Sequence, residues 1–271
     1  MLLSFVVPAY NEEAYLGACL ESILDQTRGL EHLTEIIVVN NASTDSTREI
    51  ALSYIAKYGP RVRLVDELRK GLPFARQAGF LASTSPLIAN VDADSRLTPG
   101  WVEKVLATFR EHEARNHEAN QSRQRPLVSL SGPLVYYDLT PRQSRLVNVF
   151  YGIAWLTYAT NKYILRVGSM VQGGNFVLSR VALEAIGGYD TSITFYGEDT
   201  DIARRLHAIG KVLFTFDLKM LSSARRLKHE GMVTIAFRYA VNYFWTTFFK
   251  RPFTREHIDI REPELNQQFE A

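Results

Sequence analysis

The sequence predicts an α/β fold with a mostly parallel, Rossmann-like sheet flanked by helices and a helical extension at its C-terminal end. Three observations carry that expectation. Short apolar runs rich in Val and Ile, Leu2–Val7, Glu35–Asn40 and Leu87–Val91, read as strands covered on both faces. Stretches with helical spacing lie between them. With Val62–Val65 as a further strand, the order through residue 100 is βαβαβαβ, the pattern of parallel strands joined by right-handed crossovers.

Each element has a local reason. After the first strand, Asn11 is expected to cap a helix opened by Glu12 and Glu13, in which Leu16, Cys19, Leu20, Ile23 and Leu24 repeat at the spacing of one buried face. Thr44 or Ser43 is expected to open the second helix, with Ile50, Ala51, Tyr54 and Ile55 inward, and Phe74–Ser83 forms the third. Thr98-Pro99 reads as an N-cap followed by proline at the first helical position, starting a helix that runs to Glu113. The segment 111–126 has no apolar period and reads as a solvated helix end and loop, with His112 and His117 in water. Val128–Leu130, Leu134–Tyr137 and Asn175–Ser179 read as strands, and Arg142–Tyr163 as an aromatic helical stretch. No internal repeat and no long linker divides the chain.

Composition sets bounds on function. A chain of 271 residues, 46% hydrophobic, can bury a sizeable core, which excludes the disordered and collagen-like classes. The net charge of +2, from 31 basic and 29 acidic residues, gives no field that argues for nucleic acid, so any anion site must be local. Cys19 is the single cysteine; no internal disulfide can form, which permits a reducing, cytoplasmic location. The opening Met1–Pro8 lacks a basic segment and reads as a buried strand, not a signal peptide. The longest uncharged stretch, Leu146–Asn161, is shorter than the roughly 20 apolar residues of a bilayer span, so no transmembrane helix is expected.

Five constellations carry candidate chemistry. Asp92-Ala93-Asp94 follows the strand Leu87–Val91, and residues two apart on extended backbone point the same way, so two carboxylates can converge where open α/β sheets bind ligands. Such a pair suits Mg²⁺ or Mn²⁺; a plain polar turn is the alternative. Pro8-Ala9-Tyr10-Asn11-Glu12 empties a strand into a turn that can present N–H groups and a ring to a nucleotide, or simply cap a helix. Asn40-Asn41-Ala42-Ser43 ends a second strand with side chains able to bond a base or ribose, or to form Asx turns. Gly71–Gly79 is a glycine loop before a helix carrying Arg76, positioned to brace a nucleotide or a carboxylate. Gly197-Glu198-Asp199 opens a helix with buried-face residues Ile202, Leu206 and Ile209 and the C-cap Gly210; first-turn acids also favour the helix dipole.

These five pieces, in this order over roughly residues 1–230, resemble the family 2 glycosyltransferases of GT-A fold. The resemblance implies a sugar transferred from a nucleotide-diphosphate sugar, UDP- or GDP-linked, to an acceptor hydroxyl in a single inverting displacement, without nucleic acid. It implies a nucleotide-binding half over residues 1–100 and an acceptor half over 127–230, with 231–271 as the extension. Pro8, Ala9, Tyr10 and Glu12 would lie against the nucleotide, and Asn40 stands where the family typically has an Asp that reads the base. Asp92, with Ala93 beside it, would contact ribose or metal, and Asp94 would ligate the metal. Asp199 of the Glu198-Asp199 pair would be the catalytic base, held down in pKa by the helix dipole and pushed up by burial. Gly173-Gly174-Asn175-Phe176 and Gly187-Gly188-Tyr189-Asp190 resemble the acceptor-side strand and loop, where glycine leaves room for the sugar.

Further on, Arg225 or Arg226 is expected to clamp the diphosphate and His229 to complete the metal shell, with an exposed basic loop as the alternative. The Q-x-x-R-W motif of processive relatives is missing here, which argues against processive synthesis. The acceptor is expected to be a glycan, a lipid-linked molecule or a small molecule, in envelope polysaccharide, glycolipid or related glycan synthesis. The run Met232, Ile235, Ala236, Tyr239, Ala240, Tyr243, Phe244 has helical spacing and is expected to rest on the main domain, on a second copy, or peripherally on the inner face of a membrane. Among rival readings, an oxidoreductase lacks its G-x-G-x-x-G, and a nucleotidyltransferase lacks its Lys-bearing glycine loop. A non-catalytic sugar-nucleotide or carbohydrate binding protein is the remaining alternative, disfavoured by the joint presence of Asp92, Asp94 and Asp199.

Overall fold

The computed structural model describes residues 2–118, 125–160, 170–193 and 197–249. Strand and helix alternate first: β1 (Leu3–Ala9), α1 (Leu16–Gln26), β2 (Thr34–Asn40), α2 (Thr47–Tyr58), β3 (Val62–Asp66), α3 (Leu72–Ala82) and β4 (Leu87–Val91). There follow β5 (Ser95–Leu97), α4 (Trp101–Glu118), β6 (Leu127–Ser131), β7 (Leu134–Tyr136), α5 (Pro141–Ala159), β8 (Asn175–Ser179) and α6 (Arg180–Ala185). The described chain closes with α7 (Glu198–Ile209), β9 (Lys211–Phe214), β10 (Met220–Ser222), α8 (Arg225–Glu230) and α9 (Met232–Phe249).

Seven strands build the main sheet in the order β3-β2-β1-β4-β8-β6-β9. All pairs are parallel except β8, which runs antiparallel to both β4 and β6. Every residue of β1 and β2 is buried, as their unbroken apolar runs require of strands covered on both faces. The face of α1 expected to be inward, Leu16, Cys19, Leu20, Ile23 and Leu24, is buried in one cluster with β1, β2 and β4. On the other face α3 comes so close that a Cβ on Gly79 would stand 2.2 Å from Val6 Cγ1. Because β2 and β4 flank β1 on opposite sides, the strand order reverses there, and a crevice opens at the carboxyl ends of β1 and β4.

Several helix starts differ from the expectation. Asn11 does not cap α1, which begins at Leu16; its φ of 50° turns the chain, and its Oδ1 accepts from Thr44 N at 2.8 Å while Asn11 N donates to Ser43 Oγ at 3.1 Å. Ser43 and Thr44, engaged in this way, do not open α2, which starts at Thr47 with Thr47 N donating to Asp45 Oδ1 at 2.9 Å. Side chains that cap helices locally are spent here on stitching the β1 and β2 loops together. Helix α4 continues past Glu113 to Glu118, Ile209 of α7 is exposed, and the short strands β5, β9 and β10 carried no period long enough to read. Tyr163 lies outside the described residues.

Strands β5, β10 and β7 form a second, three-stranded sheet beside the crevice. Helix α9 packs on α7 and α8, burying Ile235 and Asn242 and leaving Phe237 and Phe244 exposed. No described helix is long and apolar enough to cross a membrane.

Candidate active site

The strand β4 ends in a tight turn, Ser95 N donating to Asp92 O at 2.9 Å, which carries Asp92 and Asp94 to the crevice on either side of buried Ala93. The buried Cys19 thiol supports the turn from below, 3.7 Å from Asp92 O; burial first, then the carboxylates of Asp94 and Asp92, push its pKa up and keep it a thiol. The two carboxylates meet different cations. Asp92 Oδ1 is 3.1 Å from Arg76 Nη2, and Asp94 Oδ2 is 3.1 Å from Arg225 Nε.

Arg76 organises the centre. It lies on the buried face of α3 with Ala75, Gly79 and Phe80, and its guanidinium is wholly removed from solvent. A buried charge needs compensation, and here Nη2 pairs with Asp92 while Nη1 donates to Glu198 Oε1. Its Cζ sits 5.1 Å from the Phe176 ring centroid. One side chain therefore joins α3, the end of β4, the first turn of α7 and β8. Glu198, buried and held by Arg76, is suited to positioning.

Asp199 follows Gly197, whose φ of 86° starts α7, and Asp199 Oδ1 accepts from Thr200 N at 2.7 Å. A Cβ on Gly173 would come 3.6 Å from Asp199 Oδ2, and one on Gly174 would come 2.4 Å from Asp92 Oδ2. The adjacent glycines thus lie beside the two carboxylates, and a side chain at Gly174 would collide with Asp92. Burial pushes the Asp199 carboxyl above its ordinary range, outweighing the Thr200 N–H and Arg76, so desolvation prevails over the lowering expected from the helix N-terminus. Asp201, also acidic and in the first turn, is engaged elsewhere: it pairs with Arg204 at 2.7 Å and with Arg205 at 2.6 Å. Arg205 in turn donates to Gly188 O at 2.7 Å, fixing the glycine turn against α7.

On the other side of the crevice, Pro8 and Ala9 are buried in β1 and Tyr10 emerges from it. Lys70 Nζ donates to Tyr10 Oη at 2.8 Å and lies 4.2 Å from the ring centroid, a partner the sequence reading missed because it belongs to the loop before α3. Asn40 Nδ2 donates to Asp66 Oδ1 at 2.8 Å, and Asn40 Oδ1 accepts from Ser43 N at 3.3 Å. Asn40 and Asp66 are register partners on β2 and β3, so a carboxylate stands one strand over from position 40. The hydrogen bond from Asn40, then Arg48, hold the Asp66 carboxyl below its usual range against the opposing effect of burial. Glu12 is buried and pairs with Arg225.

Asn175 turned out to be a structural hub. Its Nδ2 donates to Gly132 O at 3.0 Å and Leu218 O at 2.8 Å, and its Oδ1 accepts from Trp101 Nε1 at 3.1 Å. The signal available in sequence was only its place at the head of an apolar strand.

Of the basic candidates on α8, Arg225 reaches Asp94 and Glu12, whereas Arg226 pairs with Glu230 at 3.6 Å. His229 is exposed, and the described residues hold no group of three His, Cys, Asp or Glu side chains able to hold an ion, so His229 is not assembled with Asp92 and Asp94. The donor set still fits Mg²⁺ or Mn²⁺: two hard carboxylates, each already paired with an arginine, suit an ion whose remaining oxygen ligands come with a bound molecule.

A seven-stranded sheet with one antiparallel strand, an acid turn after β4 and an acid-bearing helix facing it across two glycines define a GT-A type fold. The chain belongs to glycosyl transferase family 2, whose model matches residues 4–187. Among curated relatives it is 34% identical over 106 residues, 39% of this chain, to validoxylamine A glucosyltransferase of Streptomyces hygroscopicus subsp. jinggangensis, spanning 25% of that protein. It is 30% identical over 107 residues, 40% of this chain, to glycosyltransferase AglE of Haloferax volcanii, spanning 35% of that protein. The chain therefore spans about a third or less of the curated relatives it matches. Among solved structures, the mannosyltransferase PcManGT of Pyrobaculum calidifontis, in complex with GDP-Man and Mn²⁺, superposes with TM-score 0.62 at 20% identity, covering 92% of this chain and 63% of that one. Glucosyl-3-phosphoglycerate synthase of Mycobacterium tuberculosis, with Mn²⁺ and UDP-Glc, gives TM-score 0.54 at 18% identity, covering 91% and 78%. These likenesses establish the fold.

Proposed function

We propose that this chain is an inverting glycosyltransferase that moves a sugar from a nucleotide-diphosphate sugar, UDP- or GDP-linked, to an acceptor hydroxyl. The observation that carries the reading is the pair of carboxylates, Asp92 and Asp199, that lie beside two adjacent glycines, with Asp92 and Glu198, the neighbour of Asp199, joined by the buried Arg76. A metal-facing acid and a separate base within reach of one small-residue loop are what a displacement at an anomeric carbon requires.

In this reading Asp94, with Asp92, would hold Mn²⁺ or Mg²⁺, which would supply charge neutralisation of the departing nucleoside diphosphate. Tyr10 and Asn40 orient the nucleoside, with Asp66 beside Asn40. Gly173 and Gly174 admit the sugar. Asp199 accepts the acceptor hydroxyl's proton as that oxygen attacks the anomeric carbon; the carbon–oxygen bond to the diphosphate breaks on the opposite face, inverting the centre. A base whose pKa is raised by burial is better matched to this task than an ordinary Asp, provided it is ionised at the working pH. Arg76 and Glu198 are positioning residues.

The acceptor class is a glycan, a lipid-linked molecule or a small molecule. The exposed Phe237 and Phe244 of α9 are the candidate contact with a membrane surface or a second copy; flotation with anionic vesicles and sedimentation of the protein alone separate the two. The donor is tested by thermal stabilisation with UDP- and GDP-sugars in the presence and absence of Mn²⁺. One nucleotide series raising Tm only with metal supports the reading, and none doing so overturns it.

A further inference from the structure

Asp94, the carboxylate read as a metal ligand, already holds a cation of the protein's own. Arg225 Nε lies 3.1 Å from Asp94 Oδ2, and Nη2 of the same guanidinium pairs with Glu12. The guanidinium also stacks on Tyr15, 4.8 Å from the ring centroid. Glu12 is only 2% exposed and Asp94 15%, so the group is largely shielded from water, where an ion pair is screened least. The backbone that carries Arg225 is fixed independently. Asp138 accepts from Ala224 N at 2.7 Å, Ser223 Oγ at 3.2 Å and Lys228 Nζ at 3.0 Å, and Glu230 pairs with Arg226 and Arg238. Helix α8 is thus pinned on both sides of Arg225, and the long side chain is the part free to change partners.

A divalent ion arriving alone must take Asp94 from this guanidinium and set its own positive charge beside Arg225 in a shielded place, which is costly. An ion arriving with a nucleoside diphosphate brings phosphate oxygens that accept the same guanidinium in a bidentate, charge-assisted pair. We propose that Arg225 is a built-in counter-ion of the metal site that makes divalent-metal binding depend on the nucleotide diphosphate. This rests on the reading of Asp94 as a metal ligand. The coupling is reciprocal, so metal must strengthen nucleotide binding by the same factor.

The test is Mn²⁺ binding itself, followed by electron paramagnetic resonance of the free ion, for the full chain and for Arg225→Ala and Arg225→Gln, each alone and with saturating UDP or GDP. Arg225→Gln keeps the length of the side chain and covers any disturbance of α8 by alanine; far-UV circular dichroism checks the fold of both. For the wild type, the nucleotide that binds is expected to tighten Mn²⁺ by about tenfold or more, within the usual range of coupling between sites. In both variants Mn²⁺ alone is expected to bind about tenfold tighter than to wild type, and the gain from nucleotide is expected to shrink by about the same factor. Equal Mn²⁺ affinity for wild type and both variants, with the same gain from nucleotide in all three, overturns the inference while leaving the metal site standing. No Mn²⁺ binding by any of the three proteins under any condition removes the metal reading and the inference with it.

Discussion

A Cβ on Gly174 would stand 2.4 Å from Asp92 Oδ2, closer than any real contact, and the residue has a φ of +76°. The loop before β8 is shaped around the Asp92 carboxylate. Gly174→Ala is therefore expected to push Asp92 away from Arg76 and weaken donor binding in Mn²⁺ by at least tenfold, with a backbone cost of about 1 kcal/mol for a side chain at positive φ. Gly173→Ala, whose Cβ would meet Asp199 Oδ2 at an ordinary 3.6 Å, leaves the Asp92–Arg76 pair in place and should lose clearly less donor affinity than Gly174→Ala. Calorimetric titration with the stabilising nucleotide sugar checks both; equal loss in the two variants would contradict the geometry.

Arg76 neutralises two buried or half-buried acids at once. Arg76→Met should lower unfolding free energy by about 3–5 kcal/mol, the cost of leaving a buried partner uncompensated. Adding Glu198→Gln to it should recover part of the loss, since one of the stranded charges is then gone. Urea unfolding of the single and double variants measures the recovery, and strict additivity of the two changes would contradict the shared network.

The raised pKa of Asp199 has a pH signature with a defined sign. Because the folded value lies above the unfolded one, the protonated form is favoured by folding; that contribution is fully present below the unfolded pKa and lost as pH rises through the folded pKa. Asp199→Asn should therefore raise Tm at pH 7, with a gain that shrinks toward pH 4. The acid limb of kcat/KM in the wild type should fall at a pH above the ordinary Asp value of about 3.9. An acid limb at or below that value would contradict it.

Asp94→Ala should lower Tm in buffer, because its carboxylate is one of the two acids paired with the shielded Arg225, and should remove most Mn²⁺-dependent stabilisation by the nucleotide sugar. Scanning fluorimetry with and without Mn²⁺ reads the difference, and an undiminished metal effect would move the ion elsewhere.

Much of this was legible in the sequence because it rests on local pattern. The strands β1, β2 and β4 announce themselves by unbroken apolar runs, and β4 delivers Asp92 and Asp94 by chain continuity alone. The buried face of α1 follows from spacing in the same way. What was hidden depends on partners distant in sequence. Asn11, an ordinary capping residue by type, is instead drawn to Thr44 of the neighbouring loop after β2. Arg76 could be placed on α3 but not seen to bridge Asp92 and Glu198, since that needs the packing of α7 on the sheet. The balance at Asp199 between helix dipole and burial is likewise decided by tertiary contacts, and so is the separation of His229 from the acid pair.

The central claim is that Asp199 takes the proton while Asp92 and Asp94 hold the donor. Its most direct test compares Asp199→Asn with wild type in two measurements on one sample: Mn²⁺-dependent binding of the nucleotide sugar, and release of nucleoside diphosphate from it with acceptor present. The account predicts donor affinity within about threefold of wild type and turnover reduced by about 10²–10⁴-fold, the usual contribution of a general base. Equal turnover in the two proteins would contradict it.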